Sequence, residues 1–408
     1  MNIIWALFLL SGLLGACWQS LLGNWDVWQN MVAALFGAAK SGFEISLGLT
    51  GLLCFWLGLL KIAETSGLTD KLARGLTPLF QKIMPSVPSD SPAIGSMVMN
   101  MAANMLGLDN AATPMGLRAM EQLQAINPHP ARASAAQTMF MVLNASSVTI
   151  IPITILLYRA ELGSSNPSAV FVPILLATSV STLVGFLAVA LVQRLNLRNR
   201  VILGWGCGFA LFIGGVCWGF LRLPAAERMQ VSAVVSNCFL ILAVSFFVAY
   251  GCWQRLNVYE VFIKGAKDGF TVAVQIIPYL VATLAAIAVF RSSGALDALV
   301  NGIARLVQIC GLDSGFVPAL PTAFLKPLSG SGARAMMIET MQTYGADSFP
   351  AFVAAVMQGS TETTFYVLAV YFGAVKISKT GAALPCALLA DAAGLIAAIC
   401  FSYWFFSA

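Results

Sequence analysis

Nine stretches of the chain are apolar over enough residues to cross a hydrocarbon core of roughly 30 Å. They run over 1–22, 42–62, 134–157, 169–193, 201–221, 230–253, 269–291, 348–372 and 383–406. Two weaker, more polar regions interrupt them, at 66–130 and 293–345. Each opens with apolar residues at helical spacing: Leu68, Leu72, Leu76, Leu79 and Phe80 in the first, Leu296, Leu299, Val300, Ile303 and Leu306 in the second. In the first, Lys71, Arg74 and Lys82 fall elsewhere. That pattern predicts two amphipathic helices, lying on the membrane surface or packed as loop helices.

The interrupting regions also carry the most informative polar sequence. The first reads Gly107-Leu-Asp-Asn-Ala-Ala-Thr-Pro114-Met-Gly-Leu-Arg118-Ala-Met120. The second reads Leu325-Lys-Pro-Leu-Ser-Gly-Ser-Gly332-Ala-Arg334-Ala-Met336. Both end in Gly-x-Arg-Ala-Met, and polar, helix-breaking sequence at membrane depth survives only where protein or water covers it. Further pairs recur in the same order. Ser66-Gly-Leu-Thr-Asp70-Lys-Leu72 matches Ser293-Gly-Ala-Leu-Asp297-Ala-Leu299, and Asn144-Ala-Ser-Ser147-Val-Thr149 matches Gln358-Gly-Ser-Thr361-Glu-Thr363. The order argues for an internal duplication. Its first repeat covers 1–195, a linking span 196–221, and its second repeat 222–408.

If the two motif regions are re-entrant hairpins, four spans separate 42–62 from 269–291, and the repeats run in opposite directions through the membrane. That is the inverted arrangement frequent in secondary transporters. The distribution of Lys and Arg supports the same parity. With the N-terminus cytoplasmic, Lys71, Arg74, Lys82, Arg132, Arg194, Arg198, Arg200, Arg255, Lys264, Lys267, Lys376 and Lys379 lie inside. Lys40, Arg159, Arg222, Arg228, Arg291 and Arg305 lie outside. The expected fold is therefore an all-α membrane protein of about nine transmembrane helices plus two re-entrant hairpins, in two inverted repeats.

Composition agrees with the class and narrows the chemistry. Hydrophobic residues make up 59% of the chain and charged residues 10%, against about 25% charged in soluble domains; mean hydropathy is +0.84. The net charge of +5 comes without a basic, aromatic-laced patch, so nucleic acid is not an expected partner. The nine cysteines stand singly and mostly within apolar runs, as small membrane residues rather than redox or metal pairs. His129 is the only histidine, which leaves a metal site or a Ser-His-Asp triad without support. No Walker loop, His-Glu-x-x-His or Gly-x-Ser-x-Gly elbow occurs, so neither an enzyme nor a cofactor is expected. Leu13-Leu-Gly-Ala-Cys17 loosely imitates a lipoprotein box, but no Lys or Arg precedes the apolar run, so 1–22 reads as a retained first span.

The candidate site residues come from the two motifs and the matched pair that follows them. Ser329 and Ser331, in Ser-Gly-Ser-Gly, predict a helix start whose amides converge on a ligand, flanked by Lys326 and Arg334. Asn104, Asp109 and Asn110 precede Thr113-Pro114, which suits an N-cap and first helical position. Arg118 and Glu121 are placed to pair on the helix surface. Asn144, Ser147, Gln358 and Thr361 interrupt otherwise apolar spans, as ligand contacts or as glue between helices. Glu362, an intramembrane carboxylate, either couples to H⁺ or Na⁺ or pairs with Lys326 or Arg334; Asp391 is a second such group.

These residues resemble known sequences. The first half is similar to the spore maturation protein A family through Phe55-Trp-Leu-Gly-Leu-Leu-Lys-Ile-Ala-Glu64, Gly107 to Pro114, Leu143-Asn-Ala-Ser-Ser147 and Gly163-Ser-Ser-Asn-Pro167. The second half is similar to the spore maturation protein B family through Ile277-Pro-Tyr-Leu-Val281, Arg291-Ser-Ser-Gly294, Pro327 to Gly332 and Gln358 to Gly373. The resemblance implies a fusion of the two, a nucleoside recognition (Gate) domain shared with concentrative nucleoside and ferrous iron transporters, and solute movement across the bacterial inner membrane. The leading expectation is a secondary transporter of a small polar solute, nucleoside-like or envelope-related, with its site between the two motifs and coupling to H⁺ or Na⁺; a homo-oligomer is among the expected assemblies. Alternatives are a non-transporting scaffold in envelope maturation or a lipid-linked precursor translocase.

Overall fold

The structure, a computed structural model, describes residues 2–105, 109–146 and 149–406, with the backbone alone for 2–4, 109–111 and 226. Seventeen α-helices form among the described residues. The first eight are α1 (Asn2–Leu21), α2 (Asp26–Thr65), α3 (Leu68–Ile83), α4 (Pro92–Met105), α5 (Asp109–Ala125), α6 (Ala135–Ala145), α7 (Ile153–Glu161) and α8 (Phe171–Val192). After α9 (Arg200–Leu221) come α10 (Ala225–Trp253), α11 (Val258–Ser292), α12 (Ala295–Ile309), α13 (Leu320–Leu325), α14 (Gly330–Tyr344), α15 (Phe349–Ser360), α16 (Thr364–Ala374) and α17 (Ala383–Phe405). Among the described residues no strand forms; one isolated bridge joins Arg132 to Lys379.

Among the described residues six helices are long and apolar enough to cross a membrane: α2, α8 with the turn before it, α9, α10, α11 and α17. Together with α1 they account for all but two of the predicted spans. Those two, 134–157 and 348–372, are not continuous helices. The first is α6 and α7, separated by a break through which Ile150, Ile151 and Pro152 pass. β-Branched residues lose rotamer freedom in a helix, and Pro152 disfavours helical geometry in the residue before it. The second is α15 and α16, separated at Thr361–Thr363, where Thr363 is extended with φ −89° and ψ 94°.

The element order α1–α8 repeats as α10–α17, with α9 standing alone. The long helices α2 and α11 have 40 and 35 residues, and each is followed by a glycine, Gly67 or Gly294, in the left-handed region at φ 75°. An L-residue with a side chain is strained there, so glycine fixes the reversal into α3 and α12. Both following helices are amphipathic, as their spacing predicts; α3 packs along α4, burying Thr69, Ala73, Phe80 and Ile83.

Two compact units emerge, and each draws on both repeats. One comprises Met1–Gly58, Thr154–Pro167 and Ile263–Gln358; the other comprises Leu59–Ile153, Ser168–Phe262 and Gly359–Ala408. In the second unit, α4 and α5 form a helical hairpin, α8 lies along α17, and α16 packs on α5 and α6. Its core is rich in methionine, with Met97, Met101, Met120, Met139 and Met141 buried. Lipid is as apolar as these side chains, so close packing, not water exclusion, holds the helices together. In the first unit, α14 packs on α13, and α7 joins them through Tyr158 and Arg159.

Each unit also ties a loop of one repeat to a loop of the other. In the second unit, Ser378 and Lys379 donate backbone N–H groups to Ala131 O at 3.2 and 3.0 Å, and Ala133 N–H donates to Lys379 O at 3.0 Å. In the first unit, Arg159 is 1% exposed. It donates to Ala346 O at 3.0 Å, Pro167 O at 3.2 Å and Ser164 Oγ at 3.0 Å, and pairs with Asp347 at 3.1 Å. Asp347 in turn accepts from Ser165 N and Oγ at 2.8 and 2.7 Å. The Gly163–Pro167 motif thus works as a clamp on the turn between α14 and α15.

Candidate functional site

The second unit gathers neutral polar side chains where the hairpin meets the broken helices. On α4, Asn100 and Asn104 stand four apart and share a face. The last turn of α6 supplies Asn144, and α16 supplies Tyr371. Asn104 Nδ2 donates to Asn144 Oδ1 at 2.9 Å, and Tyr371 Oη donates to the same oxygen at 3.3 Å. Asn100 Nδ2 donates to Tyr371 Oη at 3.1 Å and to Ala112 O at 2.7 Å. Asn144 Nδ2 bonds back to Phe140 O at 2.9 Å, which fixes the amide's orientation. Gly116, of the Gly-x-Arg-Ala-Met motif, lets α5 approach: a Cβ there would collide with the Tyr371 hydroxyl.

The two helix breaks meet beside this cluster. Glu362 N–H, in the segment entering α16, donates to Ala145 O at the end of α6, at 2.8 Å. A C-terminal carbonyl of one half-helix is thereby satisfied by the approach to another. Ile150 N–H donates to Met105 O at 3.1 Å, tying the first break to the hairpin, and Thr182 Oγ1 on α8 donates to Ser146 O. Thr361 sits where α17 passes closest, since a Cβ on Gly394 would lie 2.7 Å from its Cγ2 and 2.9 Å from Ser181 Cβ.

In this cluster and at the neighbouring break, three buried polar atoms have no hydrogen-bond partner among the described residues: Asn100 Oδ1, Thr361 Oγ1 and Thr364 Oγ1. A buried polar atom left without a partner costs about 1–3 kcal/mol, so each of these atoms calls for a partner, water or ligand, beyond the described residues. The set consists of amides, hydroxyls and a phenol. It suits a neutral ligand that both donates and accepts. No group of three metal-ligating side chains occurs among the described residues.

The sequence candidates divide between the units. Asn104 and Asn144 are brought into direct contact, and Thr361 lies at the neighbouring break. Ser147, and the side chains of Asp109 and Asn110, lie outside the described residues. Thr113 is half-buried, but α5 begins at Asp109 rather than at Thr113, and Pro114 falls inside the helix. The expected cap is thus absent, because packing of α5 along α4 carries the helix one turn further back. Arg118 and Glu121 are both exposed and form no ion pair among the described residues. Glu362 is also exposed; it belongs to the second unit, whereas Lys326 and Arg334 belong to the first. Asp391 is 2% exposed within α17, one turn before Gly394.

The first unit holds the other motif. Ser329 caps α14 as its sequence predicts, accepting Gly332 N–H at 3.0 Å, with Ser331 Oγ 3.4 Å from Ser329 Oγ. Lys326 is 3% exposed at the end of α13, an expensive place for a cation. Arg334 stands over the Tyr158 ring at 5.7 Å. Gln358 is buried near the end of α15, its Oε1 without a partner among the described residues. Arg291 and Glu339 pair at 2.6 Å.

Sequence reasoning missed Asn100, Tyr371 and the Arg291–Glu339 pair. Asn100 had a signal, its spacing of four from Asn104. Tyr371 lies in an apolar run where an aromatic reads as core or membrane interface.

Comparison with known proteins follows the same two regions. The nucleoside recognition (Gate) family model matches residues 46–164 and 273–378, more than half of the chain. The chain is similar to spore maturation protein A of Bacillus subtilis (strain 168), 41% identical over 180 residues, which is 44% of this chain and 89% of that protein. It is also similar to spore maturation protein B of the same organism, 43% identical over 171 residues, 42% of this chain and 94% of that protein. No solved structure matches.

Proposed function

The chain belongs to the nucleoside recognition (Gate) family as a fusion of counterparts of spore maturation proteins A and B, and from that premise we propose that it is a secondary transporter. Its solute is small, polar and uncharged, and it works in the bacterial inner membrane during envelope or spore maturation. The observation that carries this reading is the meeting of two broken helices beside Asn100, Asn104, Asn144 and Tyr371. Secondary transporters bind solutes at discontinuous helices because unwound backbone and half-helix ends there offer hydrogen bonds that lipid cannot.

The chemistry of the cluster sets the solute class. A charged solute would require a compensating charge among its contacts, and the cluster of Asn100, Asn104, Asn144 and Tyr371 holds none among the described residues. A nucleoside or sugar-like solute satisfies the orphaned amide oxygen of Asn100 and the hydroxyls of Thr361 and Thr364. Glu362, beside the cluster and open to its surroundings, is the coupling group for H⁺ or Na⁺, with the buried Asp391 as a second. On this reading the hairpins α4–α5 and α13–α14 are re-entrant and the repeats inverted, with alternating access and a cytoplasmic N-terminus; the repeated element order supports it.

Purified protein in proteoliposomes tests this reading with labelled nucleosides, neutral sugars and amino sugars under imposed H⁺ and Na⁺ gradients. Gradient-driven accumulation is expected, with Glu362→Gln abolishing accumulation while exchange persists. Absence of flux for every solute, with folded protein, would leave a scaffold as the function.

A further inference from the structure

The second unit contains a cavity of about 660 Å³ lined by residues of α8, α9 and α10 and by two residues next to the candidate site. Those two are Met105, the last residue of α4, and Ile150, in the break between α6 and α7. These are the two residues joined by the hydrogen bond that ties the hairpin to the break. From there the wall is apolar, with Phe209, Phe239 and Gly215 among its residues. The volume lies within the roughly 300–1,000 Å³ of small-molecule pockets. All three bounding helices are long and apolar enough to span the bilayer, and α9 has only 6% of its apolar window buried. The medium around this groove is therefore hydrocarbon.

Among its described lining residues only Ser179 carries a polar side chain. Ser179 on α8 lines the cavity, is 2% exposed, and its Oγ has no hydrogen-bond partner among the described residues. A hydroxyl on a membrane helix normally bonds back to its own turn or to a neighbouring helix. The glycines of α9 in the wall keep the space open: a Cβ on Gly215 or Gly219 would meet nothing within 4 Å.

We propose that the transported molecule is an amphiphile: its neutral, hydroxyl-rich head group reaches the Asn104–Asn144 cluster, and its hydrocarbon chain lies in this groove. The inference rests on the transport reading and names its substrate class. A water-soluble solute would need no apolar channel opening from its site. A chain-bearing one needs a lateral path, because its tail cannot leave the hydrocarbon while its head crosses. A hydrogen-bonding group near the head of such a molecule would partner Ser179.

The test uses hexadecyl glucoside carrying a diazirine at the end of its chain, photolysed with the full-length protein in phospholipid vesicles. Labelled peptides are expected to map to α8, α9 and α10. Unlabelled hexadecyl glucoside should cut the labelling by about tenfold, and excess phosphatidylcholine should not. The double variant Gly215→Leu, Gly219→Leu fills the groove without a steric conflict at Cβ and should remove the labelling. Gly206→Leu, on the same helix outside the groove lining and equally open, should leave it unchanged. Labelling that phosphatidylcholine competes away, or that survives the filled groove, would overturn the proposal and assign the groove to bulk lipid. The two readings fail separately. Specific labelling without flux of any solute would remove transport and keep the groove. Full flux of free sugars or nucleosides through the filled-groove variant would keep transport and remove the chain.

Discussion

Asn144 is the residue on which the polar cluster turns, because its single amide oxygen accepts from both Asn104 and Tyr371. Asn144→Ala removes that acceptor and leaves two donors unpaired, a loss of about 1–3 kcal/mol. Tyr371→Phe should cost less, about 1 kcal/mol, since Asn100 Nδ2 retains Ala112 O and Asn104 retains Asn144. Thermal unfolding in detergent checks the order; a Tyr371→Phe loss as large as that of Asn144→Ala would place the centre of the network elsewhere. Gly116→Ala should also destabilise, by about 1–3 kcal/mol, because its methyl group meets the Tyr371 hydroxyl. Pairing it with Tyr371→Leu should give a total below the sum of the single effects, whereas strict additivity would mean the two do not touch. Asn104 and Asn144 were legible in sequence because an amide in an apolar run is costly. Tyr371 was not, because a phenol with an apolar body looks the same in a core, at an interface or in a site.

At the scale of elements, hydropathy found the spans and missed the breaks in two of them. A window average counts apolar side chains, and the break residues Ile150 and Ile151 are as apolar as any helix. Pro152 and the extended Thr363 decide the backbone instead. The clamp on the turn between α14 and α15 was half visible: Gly163–Pro167 stood out as a motif, but its partner Asp347 is nearly two hundred residues away. Burial alone would raise the Asp347 carboxyl. The bonds from Ser164 and Ser165 and the charge of Arg159 outweigh it and hold the group below the ordinary aspartate value. A group whose native value is depressed stabilises the fold fully above its unfolded value, about 4 for aspartate. That contribution is lost as pH falls through the lowered native value. The melting temperature should therefore fall on acidification below about pH 4 more steeply in the wild type than in Asp347→Asn. Parallel profiles would remove the clamp from the stability of this unit.

For the whole molecule, the duplication was legible in the sequence and the way the repeats share their parts was not. Matched motifs reveal that α1–α8 and α10–α17 correspond. They do not reveal that α16 packs on α5, or that Arg159 of α7 clamps the turn after α14. Those contacts depend on which half-helix a Gly-x-Arg-Ala-Met face accepts, and hydropathy carries no such information. In the proposed inversion, the loop after α5 faces the cytoplasm and the end of α14 faces the opposite side, a difference that alternating access requires. Sided labelling measures this directly. In a protein freed of its nine cysteines, single cysteines replace the exposed His129, after α5, and the exposed Gln342, in the last turn of α14. In sealed inside-out vesicles, a membrane-impermeant maleimide should label His129→Cys and reach Gln342→Cys only after the membrane is permeabilised. Labelling of both positions from the same side would contradict the inverted repeat and the transport mechanism built on it.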